Sequence, residues 1–152
     1  MMDRTQRGFT LLEMACTLGV VALMAAVLLP SIPRQTSRAR LQAYAVEIAA
    51  ILKADRNAAI SRGTSVATLV DAAGRVVISG TSGARIKVAN DVGLDTVLAK
   101  TCAQRAVVAT IEFFASGSSC GGAITLTRQN FTCEIQVNWL TGRVEIDCPA
   151  IN

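Results

Sequence analysis

The 152-residue sequence contains no histidine, which excludes Ser-His-Asp and Cys-His catalysis and histidine-ligated metal centres. Its cysteines form no C-x-x-C pair: Cys102, Cys120, Cys133 and Cys148 are separated by 17, 12 and 14 residues, which argues against zinc. Aromatic residues amount to 4%, so nucleic-acid bases would find few stacking platforms. Charged residues are also scarce, 17% against 51% hydrophobic, and the mean hydropathy is +0.43. Such a chain is not intrinsically disordered, and it is greasier than a plain soluble domain. No nucleophile–base pair, phosphate loop or metal cluster can be read, so no enzyme and no cofactor is expected. The length allows one domain plus an appendage.

The apolar residues concentrate at the front. From Phe9 to Pro30 the chain reads FTLLEMACTLGVVALMAAVLLP, with Glu13 as its one charge. At 1.5 Å per residue, a helix over 9–29 is about 30 Å long, one bilayer core. Ahead of it lies a short polar segment with Arg4 and Arg7. Three readings compete. One is a secretory signal peptide cut near Ala22, Ala25 or Ala26. The second is a plain membrane anchor. The third is an anchor clipped on its cytoplasmic side after Gly8. Glu13 favours the third. A charged side chain at the centre of a membrane helix costs roughly 2.5–3.5 kcal/mol, and an acid in lipid needs a named partner. Cleavage after Gly8 would create a cationic amine on Phe9, one helical turn from Glu13. Within one chain, or between staggered neighbours, the two charges could neutralise each other.

The run Arg7-Gly8-Phe9-Thr10-Leu11-Leu12-Glu13-Met14 resembles the type III leader of type IV pilins and type II secretion pseudopilins. The resemblance implies that a prepilin peptidase cuts between Gly8 and Phe9 and methylates the Phe9 amine. It also makes Glu13 the acid that guides filament assembly. Pro30 stands where that family often has a proline. One feature conflicts: Arg34, Arg38 and Arg40 outnumber Arg4 and Arg7, so charge bias alone would keep the C-terminal part in the cytoplasm.

Residues 34–63 read as an amphipathic stalk helix. Leu41, Tyr44, Ala45, Ile48, Leu52 and Ala59 recur at helical steps, and Gly63 suits the C-terminal stop. Pro30 and Pro33 would loosen its junction with a membrane span over 9–33. From Thr64 the period changes to two. Candidate strands are Ser65–Val70, Arg75–Ser79, Arg85–Ala89, Thr110–Phe114, Ala123–Arg128, Phe131–Val137 and Arg143–Asp147, with turns at Ala73-Gly74, Gln129-Asn130 and Leu140-Thr141-Gly142. Helix followed by antiparallel strands reads as α+β. Within the stretch Thr81–Ala109, the run Asp91-Val92-Gly93-Leu94-Asp95 is expected as a surface loop, since its acids lack calcium-loop spacing.

Cys16 lies within the apolar run as a small filler. A hairpin centred between Leu140 and Thr141 sets positions that sum to 281 opposite each other, and Cys133 and Cys148 meet that condition. Those two are expected to be bonded, and Cys102–Cys120 follows by elimination. Disulfides require an oxidising compartment, so the β-rich domain is expected in the periplasm despite the arginine bias.

A narrower resemblance covers three separated blocks. These are Arg38-x-Arg40-Leu41 with Ala50-x-Leu52-x-Ala54-x-Arg56-x-x-Ala59-Ile60-x-Arg62, then Ile111-x-Phe113-x-x-x-Gly117-Ser118 with Gly121-Gly122-x-Ile124-x-Leu126, then Thr141-Gly142-Arg143-Val144. They are similar to the GspH/FimT domain of minor pseudopilins and minor pilins. The resemblance implies a type IV pilin-like α+β fold: a long N-terminal helix, half membrane-spanning and half amphipathic, packed on an antiparallel β-sheet domain. The implied organisation is a leader peptide (1–8), a transmembrane helix (9–33), a stalk helix (34–63) and a periplasmic β-rich domain (64–152).

The implied function is that of a structural subunit at the tip of a type II secretion pseudopilus. Its partners would be major and minor pseudopilins, the prepilin peptidase, inner-membrane lipid and the inner-membrane secretion platform. The alternative is a FimT/FimU-type minor pilin of a type IV pilus that touches DNA during uptake. Basic charge is its sole support. Loss of Asp3, Arg4 and Arg7 with the leader leaves +3, weak for phosphate binding.

Overall fold

The computed structural model describes residues 10–28 and 37–149, which belong to two separate compact units divided near residue 34.

The first unit contains helix α1, Leu11–Leu28. Thr10 caps it: the Glu13 backbone N–H donates to the Thr10 carbonyl at 3.0 Å and to Thr10 Oγ1 at 3.3 Å. Thr10-Leu11-Leu12-Glu13 therefore has the spacing of a capping box, with the acid beside the positive end of the helix dipole. Its eighteen residues extend about 27 Å. Among the described residues, no helix is long and apolar enough to cross a membrane. Gly8, Phe9 and residues 29–33, which complete the expected leader junction and span, lie outside the described residues.

The second unit begins with helix α2, Arg38–Arg62. Ser37 caps its start, accepting from the Arg40 N–H at 3.3 Å. Gly63 ends it in the left-handed conformation (φ 63°), where a side chain would be strained. Leu41, Ala45, Ile48, Ala49, Leu52, Asp55 and Ala59 form its buried face. This is the expected stalk helix; residues 34–36 of the expected 34–63 range lie outside the described residues.

Ten strands follow: β1 Val66–Asp71, β2 Val76–Ile78, β3 Arg85–Lys87, β4 Gly93–Leu98, β5 Thr101–Cys102, β6 Arg105–Ala106, β7 Thr110–Phe113, β8 Gly122–Arg128, β9 Phe131–Val137 and β10 Val144–Asp147. They form two four-stranded antiparallel sheets, in the orders β3-β2-β1-β7 and β10-β9-β8-β4, and the small β5–β6 hairpin. Helix α2 packs against both large sheets. Val66, Val70, Val77, Ile111 and Phe113 of the first sheet share one core with Ile124, Leu126, Ile135 and Val137 of the second.

The strands thus form the expected antiparallel β-sheet domain, as two sheets. One expectation needs correction. Residues 91–95 are not a surface loop throughout: Gly93, Leu94 and Asp95 open β4, and β5 and β6 follow where no strand is expected. In β4, Leu94, Thr96 and Leu98 turn inward while Gly93, Asp95 and Val97 are exposed. An edge strand pairs on one side and buries one face, so polar residues at its outward positions disguise it as loop.

The β9–β10 hairpin has the expected register: Val144 opposes Val137 and Asp147 opposes Glu134. One step further Cys148 meets Cys133, and the two are bonded with Cα atoms 4.1 Å apart. Cys102 and Cys120 are also bonded, with Cα atoms 5.7 Å apart, tying β5 to the segment before β8. Each such bridge contributes about 2–4 kcal/mol. Cys16 is free. Alkylation of the unfolded full-length protein without reductant should therefore modify one thiol, and all five after reduction. Five adducts before reduction would remove both bridges.

Candidate assembly site and the clamp beside it

The buried face of α2 carries one charge. Asp55 is fully buried, at a helical step from Leu52 and from Ala59. Each carboxylate oxygen accepts two hydrogen bonds. Oδ1 receives Ser79 Oγ at 2.6 Å and the Thr81 N–H at 3.2 Å; Oδ2 receives Thr68 Oγ1 at 2.7 Å and the Gly80 N–H at 2.9 Å. These donors come from β1 and from the turn between β2 and β3, so the acid fastens the helix to the first sheet. Gly80 is required by the close approach: a Cβ there would strike the Ala67 carbonyl. Burial pushes the Asp55 carboxyl up, but the bonds from Ser79, Thr68, Gly80 and Thr81 outweigh it, and its pKa lies below the ordinary value of 3.8.

The next residue, Arg56, fastens the other side. Its Nε–H donates to the Gly117 carbonyl at 3.0 Å and to the Thr141 carbonyl at 3.2 Å, and Nη2 donates to Thr141 at 3.0 Å. A Cβ on Gly142 would hit the Gly117 carbonyl and crowd Arg56 Nε, and Gly142 also has φ 62°. Arg56, Gly117 and Thr141-Gly142 come from the three separated blocks of family resemblance. They converge on one guanidinium.

Beside this clamp, between α2 and β10, lies a cleft of about 580 Å³ lined by Lys53, Arg56, Asn57, Thr141, Arg143, Val144 and Glu145. Arg143 pairs with Glu145 at 2.9 Å, leaving an excess of positive charge. Among the described residues, Cys102, Glu112 and Cys120 are grouped closely enough for a metal, but both sulfurs are joined in a disulfide and Glu112 pairs with Arg105 at 3.4 Å. Asp91 pairs with Arg128 at 2.9 Å.

The sequence-derived assembly residues are divided by the limits of the description. Glu13 lies exposed in the first turn of α1, and no ion pair engages it among the described residues. Gly8, Phe9 and Arg34 lie outside them. Arg38 rests on the Phe131 ring at 5.6 Å and Arg40 on the Tyr44 ring at 6.0 Å. Both arginines flanking the expected span therefore have partners within the domain.

Asp55→Asn would turn an amide toward two backbone N–H groups and is expected to cost about 2–3 kcal/mol in denaturant unfolding. Because the folded pKa is depressed, the carboxylate stabilises above about pH 4, and its contribution fades as the pH falls through the folded value. The wild-type advantage over Asp55→Asn should be flat at neutral pH and shrink below about pH 4. An advantage unchanged at acidic pH would contradict this assignment.

Residues 3–29 match the prokaryotic N-terminal methylation motif. Over 142 residues the chain is 31% identical to type II secretion system protein H of Xanthomonas campestris pv. campestris, covering 93% of this chain and 83% of that protein. Two solved structures share the fold. The minor pseudopilin EpsH from the type 2 secretion system of Vibrio cholerae matches with TM-score 0.56 at 12% identity, over 72% of this chain and 98% of that one. The type IV minor pilin FimU of Pseudomonas aeruginosa matches with TM-score 0.55 at 17% identity, over 75% and 96%. The N-terminal methylation motif, the helix-on-sheet domain, the three blocks meeting at Arg56 and a relative matched along nearly the whole chain agree: this protein belongs to the family of type II secretion system protein H, the GspH-like minor pseudopilins.

Proposed function

We propose that the protein is a structural subunit of a type II secretion pseudopilus, carried into the filament by its N-terminal helix and placed at the tip. The observation that carries this is Glu13, the one acid in an apolar helix, with no ion-pair partner among the described residues of its own chain. In this reading prepilin peptidase removes residues 1–8 and methylates Phe9. The segment 9–33 then holds the protein in the inner membrane. The two disulfides support a β domain on the oxidising, periplasmic side. On extraction from the bilayer, the Glu13 carboxylate pairs with the Phe9 amine of a neighbouring subunit. A lone carboxylate is costly in hydrocarbon, and an amine at hydrogen-bond distance offsets that cost. The filament then acts mechanically, its assembly at the inner-membrane platform driving substrate toward an outer-membrane channel.

The alternative, a FimT/FimU-type minor pilin of a type IV pilus, uses the same fold. The 31% identity to a secretion protein over 93% of the chain favours secretion. The kinship with type II secretion system protein H supports a structural role.

Glu13→Ala should leave the melting midpoint of the periplasmic domain unchanged and leave cleavage after Gly8 intact. Its recovery in the sheared filament fraction, measured by immunoblot against the other pseudopilins, should fall at least about tenfold, in line with loss of an ion pair worth more than 1.4 kcal/mol. Incorporation at the wild-type level would contradict the role given to Glu13.

A further inference from the structure

The tip of the β9–β10 hairpin presents Trp139, the sequence's single tryptophan, at 67% exposure and Leu140 at 63%. The backbone beneath them is tightly held. Asn138 Oδ1 accepts from the Leu140 and Thr141 N–H groups at 2.9 and 3.0 Å. The Trp139 carbonyl accepts from the Ser119 N–H at 2.9 Å, and the Asn138 carbonyl from Ser119 Oγ at 3.1 Å. Arg56 holds the Thr141 carbonyl. Two large apolar side chains are thus exposed on a turn that has little freedom left to lose. That combination suits a binding hot spot, because a preordered anchor avoids the entropy cost of association. The basic cleft adjoins this turn through Thr141 and Arg143.

We propose that Trp139, Leu140 and the Lys53–Arg143 cleft form one docking surface for a carboxylate-bearing segment of another pseudopilin in the same filament. The inference rests on the filament role proposed above. Charge complementarity selects the partner: Lys53, Arg56 and Arg143 face the cleft against one acid, Glu145. A nucleic acid fits worse. The adjoining surface is lined by Glu134, Glu145 and Asp147, which would repel a run of phosphates more strongly than a single side-chain carboxylate held in the cleft.

The test uses the full-length chain in membranes, co-expressed with the other pseudopilins of its own system, with a photocrosslinking amino acid at Leu140. The expected product joins one of those pseudopilins at a segment containing Asp or Glu. Trp139→Ala should lower its yield by about tenfold or more, as should Lys53→Glu, and a matching acid-to-Lys change in the partner should restore the Lys53→Glu loss. Exposed residues tolerate such changes, and unchanged melting midpoints verify it. Crosslinks confined to lipid, to a second copy of this chain or to added duplex DNA would overturn the proposal. So would no crosslink from a chain that enters the filament in a Glu13-dependent manner, an outcome that leaves the filament role standing. A chain that never enters the filament would refute both readings.

Discussion

Asp55 sets a negative charge in the seam between α2 and the first sheet, and the local fold is arranged to receive it. Two hydroxyls and two backbone N–H groups converge on its oxygens. A buried carboxylate left without them would be strongly destabilising, so the β2–β3 turn has to sit where Ser79, Gly80 and Thr81 can reach the helix. Arg56, the next residue, reaches the turns before β8 and before β10. Consecutive residues of one helix thus position parts of both sheets, and the two disulfides brace segments that these contacts leave aside.

Glu13 poses the same problem with a different solution. Glu13 is the one acid of α1, as Asp55 is the one acid of the buried face of α2, and its backbone N–H is engaged by the Thr10 cap. Its carboxylate finds no cation among the described residues. Where Asp55 is satisfied within the chain, Glu13 is free to be satisfied between chains. In the proposed reading, this contrast separates an acid used for folding from an acid used for assembly.

Much of the fold was legible because its signals are local. The α2 face recurs at helical steps, Gly63 stands at its C-terminal end, and the position of one turn determined the Cys133–Cys148 pairing. What escaped depends on distant partners. Asp55 gives no local sign of its role because its donors lie 13 to 26 residues further along. Arg56 gives none of its own because the carbonyls it holds are 61 and 85 residues away. β4 was hidden by Gly93 and Asp95 at positions that face solvent. For Asp55 a usable signal existed: a helical step of three from Leu52 and four to Ala59 places it among buried neighbours, and a buried acid demands donors.

The central claim is that Glu13 is tolerated because removal of the leader frees an amine on Phe9. Its most direct test is the N-terminal sequence and intact mass of the protein isolated from the membranes of cells that make it. The expected product is a chain that begins at Phe9 and carries one added methyl group. A chain that still begins at Met1, or one that begins beyond Ala22, would contradict it.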